Sequence, residues 1–175
     1  MNNKKITNTL IIVIAIALIG TGGYLATKTK SPQVIPIPLQ TTPPETLEYI
    51  NTQYGFSFSL PTSWKGYSIV TMNWEGNMID VQNSGNVQGP EILIRHPLWT
   101  KDVPRQDIPI MIFTPAQWDL VQQEKLSLGA APIGPSELGR NTSYVFALPA
   151  RYNYAFPVGF EEVAKIIESK SFRAF

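Results

Sequence analysis

The clearest indication of the fold comes from residues 54–61, which read YGFSFSLP. Three apolar side chains, those of Phe56, Phe58 and Leu60, alternate with two serines. A period of two residues is typical of a β-strand with one buried face, because successive side chains point to opposite sides of a sheet. The pattern therefore predicts a half-buried strand that ends at Pro61.

The sequence on either side of this strand predicts a partner strand and a hairpin. Residues 48–52 are expected to pair nearby. The stretches 67–74 and 78–83 flank Glu75-Gly76-Asn77, which predicts a β-hairpin with Gly76 at its turn. A polar loop is expected over 84–90.

Two further segments, Glu91–Arg95 and Ile108–Phe113, are short and almost wholly apolar inside. Such runs are typical of central strands that are covered on both faces, so helices have to supply the covers. Additional strands are predicted at 144–148 and, as an edge, at 171–175.

Two helices are predicted. Residues 114–117, Thr-Pro-Ala-Gln, combine an N-cap threonine, a proline in the first turn and a glutamine that completes a capping box. This helix is expected to run to about Lys125 and to bury Trp118 and Val121. The second helix follows from apolar residues at i, i+3, i+4 and i+7, namely Phe160, Val163, Ala164 and Ile167. The order of elements indicates an α+β fold with an antiparallel sheet flanked by helices.

The N-terminal part has the composition of a membrane anchor. After a short tail, residues 1–5, the 22 residues of 6–27 carry no charge and would span about 33 Å as a helix. This predicts a transmembrane helix in the lipid bilayer. The alternatives are a cleaved signal peptide, whose apolar region is shorter, and a buried core helix, which has nothing here to pack against.

The orientation of the predicted helix is not decided by the positive-inside rule, because lysines flank both ends. The short tail is the easier part to keep inside the cell. The expectation is therefore a single-pass protein of the cell membrane, with an uncleaved signal anchor and its globular domain, residues 47–175, on the extracytoplasmic side.

The predicted linker, residues 28–46, holds five prolines between Ser31 and Thr46. Proline favours extended polyproline II, so the linker is expected to be a spacer of up to about 50 Å. A proline-rich ligand for an aromatic groove is the alternative.

Composition excludes several classes of function. From Leu47 onward the chain has ten Lys or Arg and twelve Asp or Glu, and these are scattered, so no nucleic-acid partner is expected. Cysteine is absent and His96 is the only histidine, so neither a thiolate zinc site nor a two-histidine metal site can be built within the chain. No cofactor and no metal site are predicted.

Three polar residues are candidates for catalytic groups. Ser136 lacks the Gly-x-Ser-x-Gly spacing of a nucleophile elbow and is expected in a turn. Asp102 and Asp107 could act as an acid and base pair if the fold brought them together, although exposed loop charges are the default. No catalytic residue is therefore predicted.

Residues 54–61 with Trp64 resemble the opening of PsbP-like domains, a family named for an extrinsic subunit of the photosynthetic oxygen-evolving complex. The closing helix and Ser171-Phe172-Arg173 are similar too, so that the resemblance covers about half of residues 47–175. It implies an α/β/α sandwich with a central, mostly antiparallel sheet, here preceded by one transmembrane helix. It also implies a non-catalytic accessory or assembly factor, and it carries over no site residue.

The expected function is therefore a membrane-tethered, non-catalytic extracytoplasmic accessory or assembly module that binds a protein or a cell-envelope component. The alternative is an extracytoplasmic hydrolase acting on an envelope polymer.

Gly129–Phe156 does not fit the family pattern and is the predicted partner-binding segment. Its glycines and prolines before Arg140 predict a long loop without a strand. Beyond Pro149, the aromatic residues Tyr152, Tyr154 and Phe156 occupy alternate positions, so in an extended chain their side chains would lie on one side. Tyr and Arg are enriched at binding hot spots. The candidate binding residues are Arg140, Arg151, Tyr152 and Tyr154. The alternative is that the three aromatic residues complete the core against the C-terminal helix.

Overall fold

The computed structural model of the chain describes residues 45–79, 85–129 and 133–175. The predicted tail, 1–5, the predicted transmembrane helix, 6–27, and all but the last two residues of the predicted linker lie outside these ranges. Within the described ranges, no helix has the length and apolar character needed to cross a membrane.

The described residues form nine strands and two α-helices, with one short 3-10 turn at Thr62–Trp64. In chain order the elements are β1 Thr46–Asn51, β2 Phe56–Pro61, β3 Ser68–Met78, β4 Asn86–Arg95, β5 Ile108–Phe113, α1 Pro115–Gln122, β6 Leu126–Ser127, β7 Ser136–Arg140, β8 Val145–Leu148, α2 Phe160–Glu168 and β9 Phe172–Ala174. The fold is thus an α+β domain in which the paired strands are antiparallel, as the order of sequence patterns predicted.

The strands form two sheets. The smaller sheet has the order β1-β2-β9, and the larger, curled sheet has the order β6-β3-β4-β5-β8-β7. The predicted pairing of 48–52 with the strand at 56–60 is confirmed, as is the edge position of the last strand.

Strand β5 lies at the centre of the larger sheet, and all six of its residues are buried. Ile108, Ile110 and Ile112 contact the first core, which also holds Phe56, Phe58 and Leu60 of β2 and Val163 of α2. Met111 and Phe113 contact the second core, which holds Trp118 and Val121 of α1. The prediction of a central strand covered on both faces is confirmed for Ile108–Phe113, where the smaller sheet, and not a helix alone, covers one face. For Glu91–Arg95 it is wrong, because only Ile92 and Ile94 are buried and the alternate residues are half-buried.

Helix α1 begins as its sequence predicts. Thr114 Oγ1 accepts a hydrogen bond from the Gln117 amide at 3.2 Å, and Gln117 Oε1 accepts one from the Thr114 amide at 2.9 Å. These two bonds complete the capping box. The helix ends at Gln122, earlier than the expected Lys125, and Glu124 beyond it adopts a positive φ of 57°.

The predicted turn of the first hairpin is wrong. Gly76 lies inside β3 opposite Val87, and the expected loop at 84–90 is mostly strand β4. A side chain at Gly76 would meet Leu128 Cδ2 and the Ser127 carbonyl oxygen at 2.8 Å. The glycine therefore marks a close approach of β6 and the chain beyond it, which a local pattern cannot distinguish from a turn.

The predicted long loop before Arg140 is also wrong. Ser136–Arg140 forms β7, which pairs with β8 and has a register shift between Glu137 and Gly139. A Cβ atom at Gly139 would lie 3.1 Å from the ring of Phe172. Glycine at this irregularity permits the aromatic contact, so the strand persists in spite of its composition.

Candidate functional site

The four candidate binding residues do not lie together. Arg140 pairs with Val145 at one end of the β7–β8 hairpin, whereas Ser136 pairs with Leu148 at the other end. Arg151, Tyr152 and Tyr154 follow Leu148 and so lie beyond that other end. The structure groups these three residues and separates Arg140 from them.

Arg140 has a local partner. Its Nε and Nη2 atoms donate to the two carboxylate oxygens of Glu137 at 2.7 and 2.6 Å. The hydrogen bonds from Arg140 lower the pKa of the Glu137 carboxyl. The exposed guanidinium is therefore neutralised within β7.

Residues 151–155 form consecutive turns, so the predicted arrangement, with aromatic side chains on one side of an extended segment, is wrong. Arg151 and Phe156 adopt positive φ values of 53° and 46°. Tyr152 is half-buried against the first core, and burial raises the pKa of its hydroxyl. Tyr154 and Phe156, by contrast, are 73% and 67% exposed. The alternative that these aromatic residues complete the core therefore holds for Tyr152 but not for the exposed Tyr154 and Phe156.

The exposed aromatic residues lie on a segment that is tied to the loop before β5. Arg105 and Val158 form an isolated parallel bridge, and the Gln106 amide donates to the Val158 carbonyl at 2.9 Å. Gln106 Nε2 also donates to the Tyr152 carbonyl at 3.2 Å. These bonds hold two irregular segments, which are 46 residues apart in the chain, in a fixed relation.

A cleft of about 570 Å³ opens where these segments meet the start of α2. We call it the α2 cleft. Arg105 forms one side, Phe156–Phe160 another, and Glu161, Glu162 and Lys165 of α2 the third. It therefore combines exposed apolar groups with charges of both signs.

The charged side of the α2 cleft contains one short hydrogen bond and one long ion pair, both to Glu162. Ser63 Oγ donates to Glu162 Oε1 at 2.7 Å, while Arg105 Nη2 lies 3.9 Å from Glu162 Oε2. Arg105 Nε is buried and has no hydrogen-bond partner among the described residues. A buried polar group without a partner costs about 1–3 kcal/mol, so this part of the site is destabilising in itself.

Helix α2 begins at this cleft without a side-chain cap. Its N-cap residue, Gly159, has a φ of 86°, a left-handed conformation that favours glycine. A Cβ atom at Gly159 would lie 3.2 Å from Arg105 Nη2. A side chain at this position would therefore crowd the Arg105 guanidinium, and glycine avoids that contact. The predicted apolar face of α2 is confirmed at Val163, with Ile166 as the second buried residue.

His96 lies buried behind this region. Its ring meets the ring of Trp64 edge to face at a centroid distance of 5.0 Å, and its Nδ1 accepts a hydrogen bond from the Leu98 amide at 3.1 Å. Burial, together with the positive charge of Arg105, lowers the pKa of the imidazole. The described ranges contain no group of three or more residues able to hold a metal ion.

The weighed catalytic residues are dispersed. Asp107 accepts hydrogen bonds from Arg95, with the Arg95 Nη2 atom at 2.8 Å, and the Arg95 guanidinium lies 3.9 Å above the Trp99 ring. Asp102 is exposed, and Ser136 begins β7 and does not form a turn. The bond to Asp107 also raises the pKa of Arg95, so this carboxylate is held in an ion pair.

Sequence reasoning missed Arg105, Ser63 and Glu162. Ser63 and Glu162 are 99 residues apart, so no spacing connects them. The only signal in the sequence was the aromatic content of the segment that forms the opposite side of the cleft.

Comparison with known proteins adds no assignment, since no family model, curated protein or solved structure matches the chain.

Proposed function

We propose that this chain is a membrane-tethered, non-catalytic accessory or assembly module that binds a protein or a cell-envelope component on the extracytoplasmic side. The observation that carries the proposal is the exposure of Tyr154 and Phe156 on a segment fixed by hydrogen bonds to Gln106. Exposed aromatic side chains held in place lose little conformational entropy on binding, and Tyr is enriched at binding hot spots.

The binding surface is proposed to be the rim of the α2 cleft, with Arg151 beside it. The Arg151 guanidinium lies 6.0 Å from the centroid of the Tyr154 ring, at the limit of a cation–π contact. Arg151, Tyr154 and Phe156 then contact the partner directly, and Tyr152 holds the segment on the core. Arg140 lies at the other end of the hairpin and is not assigned to this surface.

Membership of the PsbP-like family, with its α/β/α sandwich, belongs to the same proposal. It is supported by the central, mostly antiparallel sheet, by α1 on one face and by α2 packed on the first core. The cell-membrane location rests on the composition of residues 6–27.

Site-specific crosslinking tests the proposed surface. A photoreactive amino acid at Tyr154 in the full chain, illuminated in native membranes, is expected to give a discrete crosslinked species. Phe156→Ala is expected to lower the yield of this species about tenfold, because it removes one hot-spot contact. The matched control places the same probe at Phe175, which is also exposed but lies in the C-terminal segment. Equal crosslinking from both positions would contradict the proposal.

A hydrolase acting on an envelope polymer is the second candidate. Its specific support is the Ser63 hydroxyl, which donates to Glu162, a residue that lines the α2 cleft. Under this function Ser63→Ala abolishes turnover of an envelope polymer and leaves crosslinking at Tyr154 intact. Under the accessory function, neither the original chain nor Ser63→Ala turns over an envelope polymer, and Ser63→Ala leaves crosslinking at Tyr154 unchanged.

A further inference from the structure

The outer edge of β3 is open along most of its length. On one side, Ser68–Asn77 pairs with β4 throughout. On the other side, β6 pairs only with Asn77 and Met78. Within the described ranges, the backbone groups that point outward from residues 68–76 therefore have no strand partner. We call this stretch the β3 edge.

The β3 edge lacks the features by which proteins usually protect such edges. It contains no proline, no lysine and no arginine, and its only charged residue is Glu75. Ile69 and Met72 are 36% and 49% exposed. Unpaired amide and carbonyl groups beside exposed apolar side chains form a template for a further strand.

The charge beside this edge is negative. Met72 and Glu91 are cross-strand partners, and Glu91 pairs in turn with Met111, so the three side chains share one face of the sheet. Glu91 is half-buried and forms no ion pair with a described residue. Burial raises the pKa of its carboxyl.

The geometry also limits the occupant. A groove of about 300 Å³ lies between the β1–β2 turn and the paired segments Thr71–Asn73 of β3 and Pro90–Ile92 of β4. A residue opposite Met72 on an added strand would lie about 10 Å from the Glu91 Cα, because neighbouring strands are roughly 4.8 Å apart. A lysine or arginine side chain extending across Met72 covers most of that distance, and the Glu91 side chain covers the rest.

We propose that the β3 edge binds an extended, basic segment of a protein partner, which adds as a strand beside Ile69–Asn73 and places a lysine or arginine against Glu91. Backbone hydrogen bonds supply affinity, and the cation supplies specificity. This surface is separate from the α2 cleft, so the inference holds whether or not the cleft binds a partner.

Hydrogen–deuterium exchange on the full chain in detergent micelles tests this inference. The probes are two synthetic peptides, acetyl-Thr-Val-Lys-Val-Thr-amide and its analogue with Glu in place of Lys. The lysine peptide is expected to slow exchange in residues 68–76 by about tenfold at saturation, and the glutamate peptide to leave it unchanged. Absence of protection, or equal protection by both peptides, would overturn the proposal.

Three variants make the test specific. Met72→Lys places a cation on the edge and is expected to abolish protection, whereas Leu98→Lys, at an exposed residue outside the groove, preserves it. Glu91→Gln is expected to raise the Kd of the lysine peptide about tenfold, because it removes one partly desolvated ion pair. Concentration-dependent protection of 68–76 without any peptide would show that a second copy occupies the edge, and the proposal would then be wrong.

Discussion

Helices α1 and α2 have similar lengths, eight and nine residues, but begin in different ways. At α1, Thr114 and Gln117 satisfy each other's backbone amides through the capping box. At α2, Gly159 offers no side chain, and the chain just before the helix is held by the isolated bridge of Val158 to Arg105. The start of α1 is therefore stabilised by neighbouring residues, whereas the segment before α2 is held by a residue more than 50 positions away in the sequence.

The α2 cleft lies at the second of these helix starts. The capped start of α1 adjoins the second core, in which Trp118 is buried. The start of α2 has no side-chain cap, and the side chains beside it, those of Arg105, Ser63 and Glu162, come from three separate parts of the chain. The cleft therefore lies at the helix that is less determined by its own sequence.

The largest effect that tests this comparison is expected from Gly159→Ala. A left-handed conformation costs a residue with a Cβ about 1–2 kcal/mol, and the contact with Arg105 adds to it, for a total loss of about 2 kcal/mol in the free energy of unfolding. Chemical denaturation of the full chain in micelles measures this loss. Gly159→Asn is the matched control and should lose less, since asparagine tolerates this conformation. Equal losses would show that strain at Gly159 is not the cause.

Thr114→Ala is expected to cost about 1 kcal/mol, because it removes the capping box of α1. The same denaturation experiment measures it, with Thr142→Ala, at an exposed threonine, as the control. Since α1 lies on the second core, crosslinking at Tyr154 should be unaffected. A loss of crosslinking would contradict the independence of the two helix starts.

The pH dependence of stability tests the buried surroundings of α2. The folded state lowers the pKa of His96 from its ordinary value of 6.5, through burial and the nearby Arg105 charge, with Glu162 opposing. The unfolded state therefore binds a proton first, and the free energy of unfolding falls as the pH drops from about 6.5 through the folded pKa. His96→Gln should remove this slope. An unchanged slope in that variant would assign the dependence to another group.

The smallest effect is expected from Ser63→Ala, which removes the hydrogen bond to Glu162. The bond is exposed, so its loss should lower the free energy of unfolding by only about 0.5 kcal/mol. Ser143→Ala is the control for removal of an exposed serine hydroxyl. A loss of several kcal/mol would show that this bond, and not the Gly159 contact, fixes the start of α2.

Periodic and capping signals predicted most of the elements. The alternation at Phe56–Leu60, the apolar run at Ile108–Phe113 and the capping box at Thr114 all gave the correct element, because each depends on neighbours within a few residues. The failures at Gly76 and Gly139 share one cause. There the absence of a side chain serves contacts with distant residues, and the same letter also marks turns.

The sequence by itself determined the composition of the apolar segment at 6–27, the absence of cysteine and the alternation that forms the small sheet. These properties depend on residue type and local order alone. Only the tertiary structure decided that Tyr152 is half-buried while Tyr154 is exposed, that Arg140 lies apart from both, and that Arg105 meets Gly159. Those outcomes depend on how strands and turns far apart in the chain pack together, and that packing leaves no periodic trace in the sequence.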